Sequence, residues 1–264
     1  MSLNIIVCIK QLIDPETPIE NLTIDADSKD IGTVDHKELI TNGFDLNAVE
    51  AALYLKDRHG AKVTVISLGT MESQNGLKKT LAMGADEAIL INKPNIHIDS
   101  AITALLLSKA IRLHVPFDLI LCGRQASDWD NAEIPFRIAE NLNISCISLV
   151  SKIQINESEL IVTRALPDGF QQAQTNLPSL ITITNEFGEP RYPNLRGIMS
   201  ANKKNIIQIT PRLLGINESD INIKTETIEI NFQTRKKNCE FIQNENNEYS
   251  AQALTEKLQK LNLI

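Results

Sequence analysis

The chain contains no Cys-x-x-Cys, and its four histidines, His36, His59, His97 and His114, stand apart, so no metal-ligand spacing can be read from it. Its cysteines, Cys8, Cys122, Cys146 and Cys239, are dispersed, and the first three sit in apolar strand-like surroundings that suit buried free thiols better than disulfides. Neither Gly-x-Gly-x-x-Gly nor a Walker A sequence occurs, which leaves a dinucleotide fingerprint and an ordinary ATPase loop unsupported. There is no Gly-x-Ser-x-Gly elbow, no Cys/His arrangement and no carboxylate pair at helical spacing in an obvious pocket; Asp128 and Asp130, two apart, would face different directions on a helix, although a loop could bring them together. Positive charge is also short. With 26 Lys+Arg against 33 Asp+Glu, the formal charge is −7, so no basic field attracts nucleic acid or anionic lipid. No apolar run reaches membrane-spanning length, and Met-Ser-Leu-Asn leads straight into a strand-like run with no room for a signal peptide. The expectation is a soluble, cytoplasmic protein.

What is present is a 264-residue chain, 42% apolar, that can bury one large core with an appended segment. Short apolar runs at 4–9, 62–67, 87–91 and 118–122, mostly rich in β-branched residues, predict strands. Helical periodicity fills the intervals at 46–56, with Asp45 as its N-cap, at 71–83 and at 99–113, and a further helix follows at 131–142. Right-handed strand-helix-strand crossovers then give an α/β fold, a three-layer, doubly wound, mostly parallel sheet. After residue 142 strand-like runs at 144–150, 151–155, 160–165, 170–175 and 179–184, with turns at 156–158 and 167–169, predict an extension with an antiparallel part. From residue 206 the chain turns rich in Asn, Glu and Lys until an amphipathic helix over 250–263 carrying Ala253, Leu254, Leu258 and Leu261. The expected organisation is a nucleotide-binding domain over 1–205 and an arm over 206–264 that needs an external surface to lie on.

Open α/β sheets bind ligands beyond the carboxyl ends of their strands. The strand ending at Cys122 runs into Gly123-Arg-Gln-Ala-Ser-Asp-Trp-Asp130, and the first free amides of the next helix can hold a phosphate; alternatively Asp128 or Asp130 simply caps that helix. The segment 185–204 holds Pro190 and Pro193, which fix φ, between Gly188 and Gly197. It reads either as a shaped partner-contact loop or as a structural crossover, with Leu195 turned outward or packed against its own domain.

Four stretches in order carry a family resemblance over about residues 3–215: Cys8-Ile-Lys-Gln-Leu-Ile-Asp14, Thr80-Leu-Ala-Met-Gly-Ala-Asp86, Gly123 to Asp130, and Glu189-Pro-Arg-Tyr192 followed by Leu195, Ile198 and Met199. They resemble the beta subunits of electron transfer flavoproteins, of the bacterial FixA-like type, whose fold is adenine-nucleotide alpha-hydrolase-like. The resemblance implies a heterodimer with an alpha subunit that holds most of an FAD, carries electrons between dehydrogenases and a redox acceptor, and is wrapped by the C-terminal part of this chain. Flavin supplies the redox chemistry. Pro15 and Pro18 sit where the family's early loop approaches the flavin ring, or else only turn the chain out of the sheet. It further implies AMP in this subunit, or a second FAD as in the electron-bifurcating branch. By position its contacts are Cys8, Lys10, Asn42, Gly43, Phe44, Asp45, Leu68, Gly69, Gly123, Arg124, Gln125, Asp128, Asp130, Asn131, Ala132, Glu133 and Ile134. Glu189, Arg191, Tyr192, Leu195, Ile198 and Met199 match the loop that docks on acyl-CoA dehydrogenases, with Leu195 as anchor.

The chain departs from the family pattern at Trp129, Glu133 and Pro135, where the family has glycine or aspartate, glutamine, and glycine. A carboxylate at Glu133 competes with phosphate for helix amides, and an indole at Trp129 either stacks on a ring or plugs the cavity. A stand-alone adenine-nucleotide sensor of the universal-stress kind shares the build of the first 140 residues but leaves the tail and the 185–204 segment unexplained.

Overall fold

A computed structural model describes residues 3–25, 30–34, 39–114, 116–217, 219, 221–232, 239–243 and 246–264. Strands β1 (Asn4–Cys8) and β2 (Gln11–Leu12) precede a 3-10 turn at Ile19–Asn21 and three short strands, β3 (Leu22–Ile24), β4 (Ile31–Thr33) and β5 (Ile40–Thr41). Strand and helix then alternate through α1 (Gly43–His59), β6 (Lys62–Gly69), α2 (Gln74–Met83), β7 (Glu87–Asn92), α3 (Ser100–His114), β8 (Leu119–Gly123) and α4 (Ile134–Leu142). The second half runs β9 (Ser145–Asn156), β10 (Glu159–Leu166), β11 (Gly169–Asn176), β12 (Ser179–Ile183), α5 (Leu195–Ala201), β13 (Ile206–Ile209) and α6 (Asn247–Lys260).

Nine strands form one sheet in the order β11-β10-β9-β12-β8-β1-β6-β7-β13. The seven from β9 to β13 are parallel, while β10 and β11 pair antiparallel as an extension at one edge. The central strands are predominantly apolar and almost wholly buried, which explains this layering, because β1, β8 and β12 must be covered on both faces. Ala48, Leu53, Leu77, Leu81 and Ala201 bring α1, α2 and α5 onto one face, and Leu106, Ile111 and Ile138 bring α3 and α4 onto the other.

Several predicted boundaries shift. The runs at 144–150 and 151–155 are one strand, β9, kinked at Leu149, where φ is +61° and its backbone N–H donates to Thr182 Oγ1. Before the kink β9 pairs with β12; Val150 pairs with both β12 and β10, and the residues beyond it pair with β10. Asp99, expected inside a helix, instead precedes α3 and accepts from Ile102 N at 2.9 Å; its other oxygen accepts from Lys224 and Thr225 N. The polar tract after residue 205 therefore does not wait for an external surface along its whole length. Strand β13 joins the sheet, and Leu214 and Ile216 enter the core.

Contacts divide the chain into compact units at 1–230 and 231–264. In the second, Asn246 caps α6 by accepting from Tyr249 N, Lys257 pairs with Glu240, and none of the helix's residues is buried. Among the described residues no helix is long and apolar enough to cross a membrane, and no three His, Cys, Asp or Glu gather as a metal set. His36 lies outside the described residues.

Candidate functional site

From β1 the chain passes through α1 to β6 and onward on one side, and later returns to place β8 on the other side of β1. The switch in strand order opens a crevice outside the carboxyl ends of β1 and β8, where such sheets bind ligands. The start of α1 closes over it. Asn42 rather than Asp45 occupies the N-cap position, and it makes no side-chain cap hydrogen bond. Its amide is buried and committed to the loop after β8, donating to Gln125 O at 2.8 Å and accepting from Ser127 N and Oγ.

Asp45, three residues into the helix, faces inward. One carboxylate oxygen accepts from Lys10 N at 2.8 Å and the other from Gly123 N at 3.1 Å, so a single side chain fastens the ends of β1 and β8. Burial pushes its carboxyl up to about 7, against hydrogen bonds from Lys10, Asn42 and Gly123 that favour the ionised form. A side chain at Gly123 would put its Cβ 2.4 Å from Asp45 Oδ1, which is why glycine stands there. Cys8 and Cys122 lie opposite each other in register on β1 and β8. The neighbouring Cys8, together with burial, holds the Cys122 thiol well above its ordinary range.

The loop after β8 differs from the expectation in one respect. Helix α4 begins at Ile134 rather than near Asn131, because Asp130 and Ala132 adopt left-handed φ values of +52° and +54°. Pro135 is then accommodated in the first turn. Neither Asp128 nor Asp130 caps the helix. Asp128 pairs with Lys10 Nζ at 2.5 Å, and Asp130 accepts from Gln125 Nε2 at 2.7 Å, so the two carboxylates do not converge on a reacting atom. Glu133 stands at the N-cap position, but hydrogen bonds from Ser100 and then Arg137 hold its carboxyl below the usual range. The Arg124 guanidinium stacks on the Phe44 ring at 4.8 Å. Trp129 is half-exposed, and Pro15 and Pro18 are exposed.

Ala132 is left-handed and Glu133 right-handed, so the chain turns sharply into the first turn of α4. Gln11 Oε1 and Thr41 Oγ1, next in the chain to Lys10 and Asn42, are buried and accept no hydrogen bond from the protein. So is Ser67 Oγ, just before Leu68 and Gly69 at the end of β6. Beside this crevice lies an open cleft of about 490 Å³ whose walls include Gly43, Phe44 and Ser127 on one side and Pro190 to Pro193 on the other. Lys79 and Asn185, which the sequence reading did not single out, also line it.

The far wall belongs to the predicted partner segment, which is fixed at both ends. Four residues of α1 hold its start. Asn47 Nδ2 donates to Gly188 O at 2.7 Å, Glu50 accepts from both the backbone N and the guanidinium of Arg191, Tyr54 meets Phe187 edge-on at 5.8 Å, and Asp57 pairs with Arg191 at 2.9 Å. At the other end Asn194 caps α5, and Gly197 packs so closely on α2 that an added Cβ would lie 2.2 Å from Ala82 O. Between the anchors Tyr192 is 92% exposed, Leu195 76% and Met199 60%, with Ile198 half-exposed. Leu195 is turned outward, not packed against its own domain. Glu189 is exposed, whereas Arg191 is drawn onto α1.

These features place the chain among the α/β proteins with a mostly parallel sheet. A profile of the electron transfer flavoprotein domain matches residues 31–214. The chain is 38% identical over 224 residues to an electron transfer flavoprotein subunit beta from Thermoanaerobacterium thermosaccharolyticum, covering 84% of each chain. It is 32% identical over 251 residues to the subunit of that name from Bacillus subtilis, covering 92% of this chain and 93% of the other. It is also similar, at 34% over 229 residues, to the caffeyl-CoA reductase-Etf complex subunit CarD of Acetobacterium woodii, covering 82% and 84%. The chain belongs to the electron transfer flavoprotein beta subunit family. The match continues well past residue 140, beyond the part a stand-alone sensor would share.

Proposed function

We propose that this chain pairs with an alpha subunit to carry electrons between flavin dehydrogenases and a redox acceptor, and that it holds AMP in the crevice outside β1 and β8. The observation that carries the nucleotide reading is the loop after β8, where left-handed φ at Asp130 and Ala132 leads into the first turn of α4 outside the ends of β1 and β8. The fold is then of the adenine-nucleotide alpha-hydrolase-like kind. The amides of Asn131, Ala132, Glu133 and Ile134 and the Arg124 side chain would meet the phosphate. Gly43, Phe44, Leu68 and Gly69 would shape the walls. Lys10 would reach the phosphate by exchanging its partner Asp128. FAD at the subunit interface supplies the electron-carrying chemistry, and this chain orders the loops beside it and limits water. The arm from residue 206 contacts the alpha subunit, which suits the exposed Ile228, Leu254 and Leu261.

A second FAD in place of AMP is the alternative, favoured by the 490 Å³ cleft that adjoins Phe44 and Ser127 and offers room for a ring system. Denaturing the purified heterodimer and measuring released flavin and adenine nucleotide separates the two. One flavin with one AMP per heterodimer is the expected result, and two flavins without AMP would favour the alternative. One flavin with no further nucleotide rejects both.

The dehydrogenase is proposed to dock on residues 189–199, an acyl-CoA dehydrogenase being the expected partner. Leu195 is the anchor, with Tyr192, Ile198 and Met199 as apolar flanks and Glu189 on the polar rim. Leu195→Ala should remove about 1–3 kcal/mol of docking energy and weaken electron transfer tenfold or more. Melting temperature and flavin content should not move, since the side chain buries little in this chain. Unchanged electron transfer rejects the anchor.

A further inference from the structure

Residues 47, 50, 54 and 57 form one stripe of α1, spaced three, four and three apart, and each of them contacts the segment between Phe187 and Arg191. Glu50 is central to it. Its carboxylate binds the backbone N of Arg191 at 2.9 Å and the guanidinium at 2.8–3.1 Å, gripping main chain and side chain of the same residue. With a side chain only 16% exposed, Glu50 lies behind the segment and offers little surface to a docking protein. The Arg191 guanidinium lies between Glu50 and Asp57, and hydrogen bonds with these two carboxylates raise its pKa further. Arg191 is followed at once by Tyr192 and Pro193, so whatever fixes its backbone fixes where the apolar side chains begin.

We infer that Glu50 is a positioning residue for dehydrogenase docking: with Arg191 it forms a clamp that holds the 189–199 segment in its docking-competent shape before the partner arrives. This rests on the proposed docking role of that segment. A docking partner that met an unclamped segment would have to order it, and that cost would fall on encounter affinity rather than on electron transfer within the complex. The clamp therefore acts on KM for the reduced dehydrogenase and leaves kcat alone.

The test uses the whole heterodimer carrying Glu50→Gln, a neutral isostere that keeps an acceptor for the Arg191 amide, beside Glu50→Ala and Leu195→Ala. An acyl-CoA dehydrogenase reduced by its acyl-CoA substrate is the electron donor. The expected result is a KM raised about threefold for Glu50→Gln and five- to tenfold for Glu50→Ala, with kcat within twofold. Limited trypsin digestion of the heterodimer without dehydrogenase reads the clamp independently, with cleavage after Arg191 and Arg196 expected to speed up about fivefold in Glu50→Ala. A lowered melting temperature with KM unchanged overturns the clamp. If Leu195→Ala raises KM and the Glu50 variants do not, the clamp fails and the docking surface stands. If none of the three moves KM, the docking surface fails; tryptic rates equal to wild type then show that the segment is not held by Glu50 either.

Discussion

Asp45 illustrates how a residue can be located correctly by sequence and still be given the wrong task. Its position before a run of helix-forming residues suggests an N-cap, because short carboxylates are the usual acceptors for orphan helix amides. What local pattern could not show is that Lys10 and Gly123, far away in the chain, present their own amides to the same carboxylate once β1 and β8 are neighbours. The consequence is a pH dependence. Below pH about 4 the carboxyl is protonated in folded and unfolded chains alike; between about 4 and 7 only the unfolded chain releases the proton, so this group's contribution to stability declines as pH rises and is lost above about 7. The contribution is on the order of a few kcal/mol. Asp45→Asn does not titrate and turns an NH2 toward one of the two backbone donors, so it should melt well below wild type at pH 5 and approach it at pH 8. Parallel melting curves across that range would remove Asp45 from the account. Asn42, expected by position as a nucleotide contact, shows the same limit, since its partners Gln125 and Ser127 lie on a loop that only the sheet brings near.

At the scale of elements, strands and helices of the first half were legible because their periodicities are clean and their apolar runs short. The misplaced start of α4 was not, since left-handed φ at Asp130 and Ala132 is a choice that neither residue announces. The stripe on α1 was available as a spacing, but polar side chains on a helix face ordinarily meet water, and only α1's packing beside residues 187–191 converts the stripe into an anchor. Gly197 carries the matching role on α5. Gly197→Ala would drive a Cβ into Ala82 O, a main-chain atom that cannot swing aside, and α5 must lift from α2. A loss of about 1–3 kcal/mol is expected, together with weaker electron transfer, because Ile198 and Met199 ride on the same helix. Thermal melting and dehydrogenase-dependent reduction should therefore fall together. A variant that melts like wild type would mean that the contact between the helices has slack.

For the whole molecule, the layered α/β architecture followed from alternation, whereas the placement of the last strand did not. Polar composition after residue 205 masked Ile206–Ile209, a strand too short to stand out, which finds its partner in β7 at the far edge from β12. The segment 184–205 joins these two strands and must pass over β8, β1, β6 and β7 to do so, a distance of roughly 24 Å at ordinary strand spacing. It is a strap cut to the width of the sheet. Its exposed side chains, Tyr192, Leu195 and Met199, can change without touching the anchors, but a residue removed near Leu195 has to be taken from an anchor on α1, from the seat of α5 on α2, or from the pairing of β13. A change of length here is felt at those seats, whereas exchange of the exposed side chains between them leaves the seats in place.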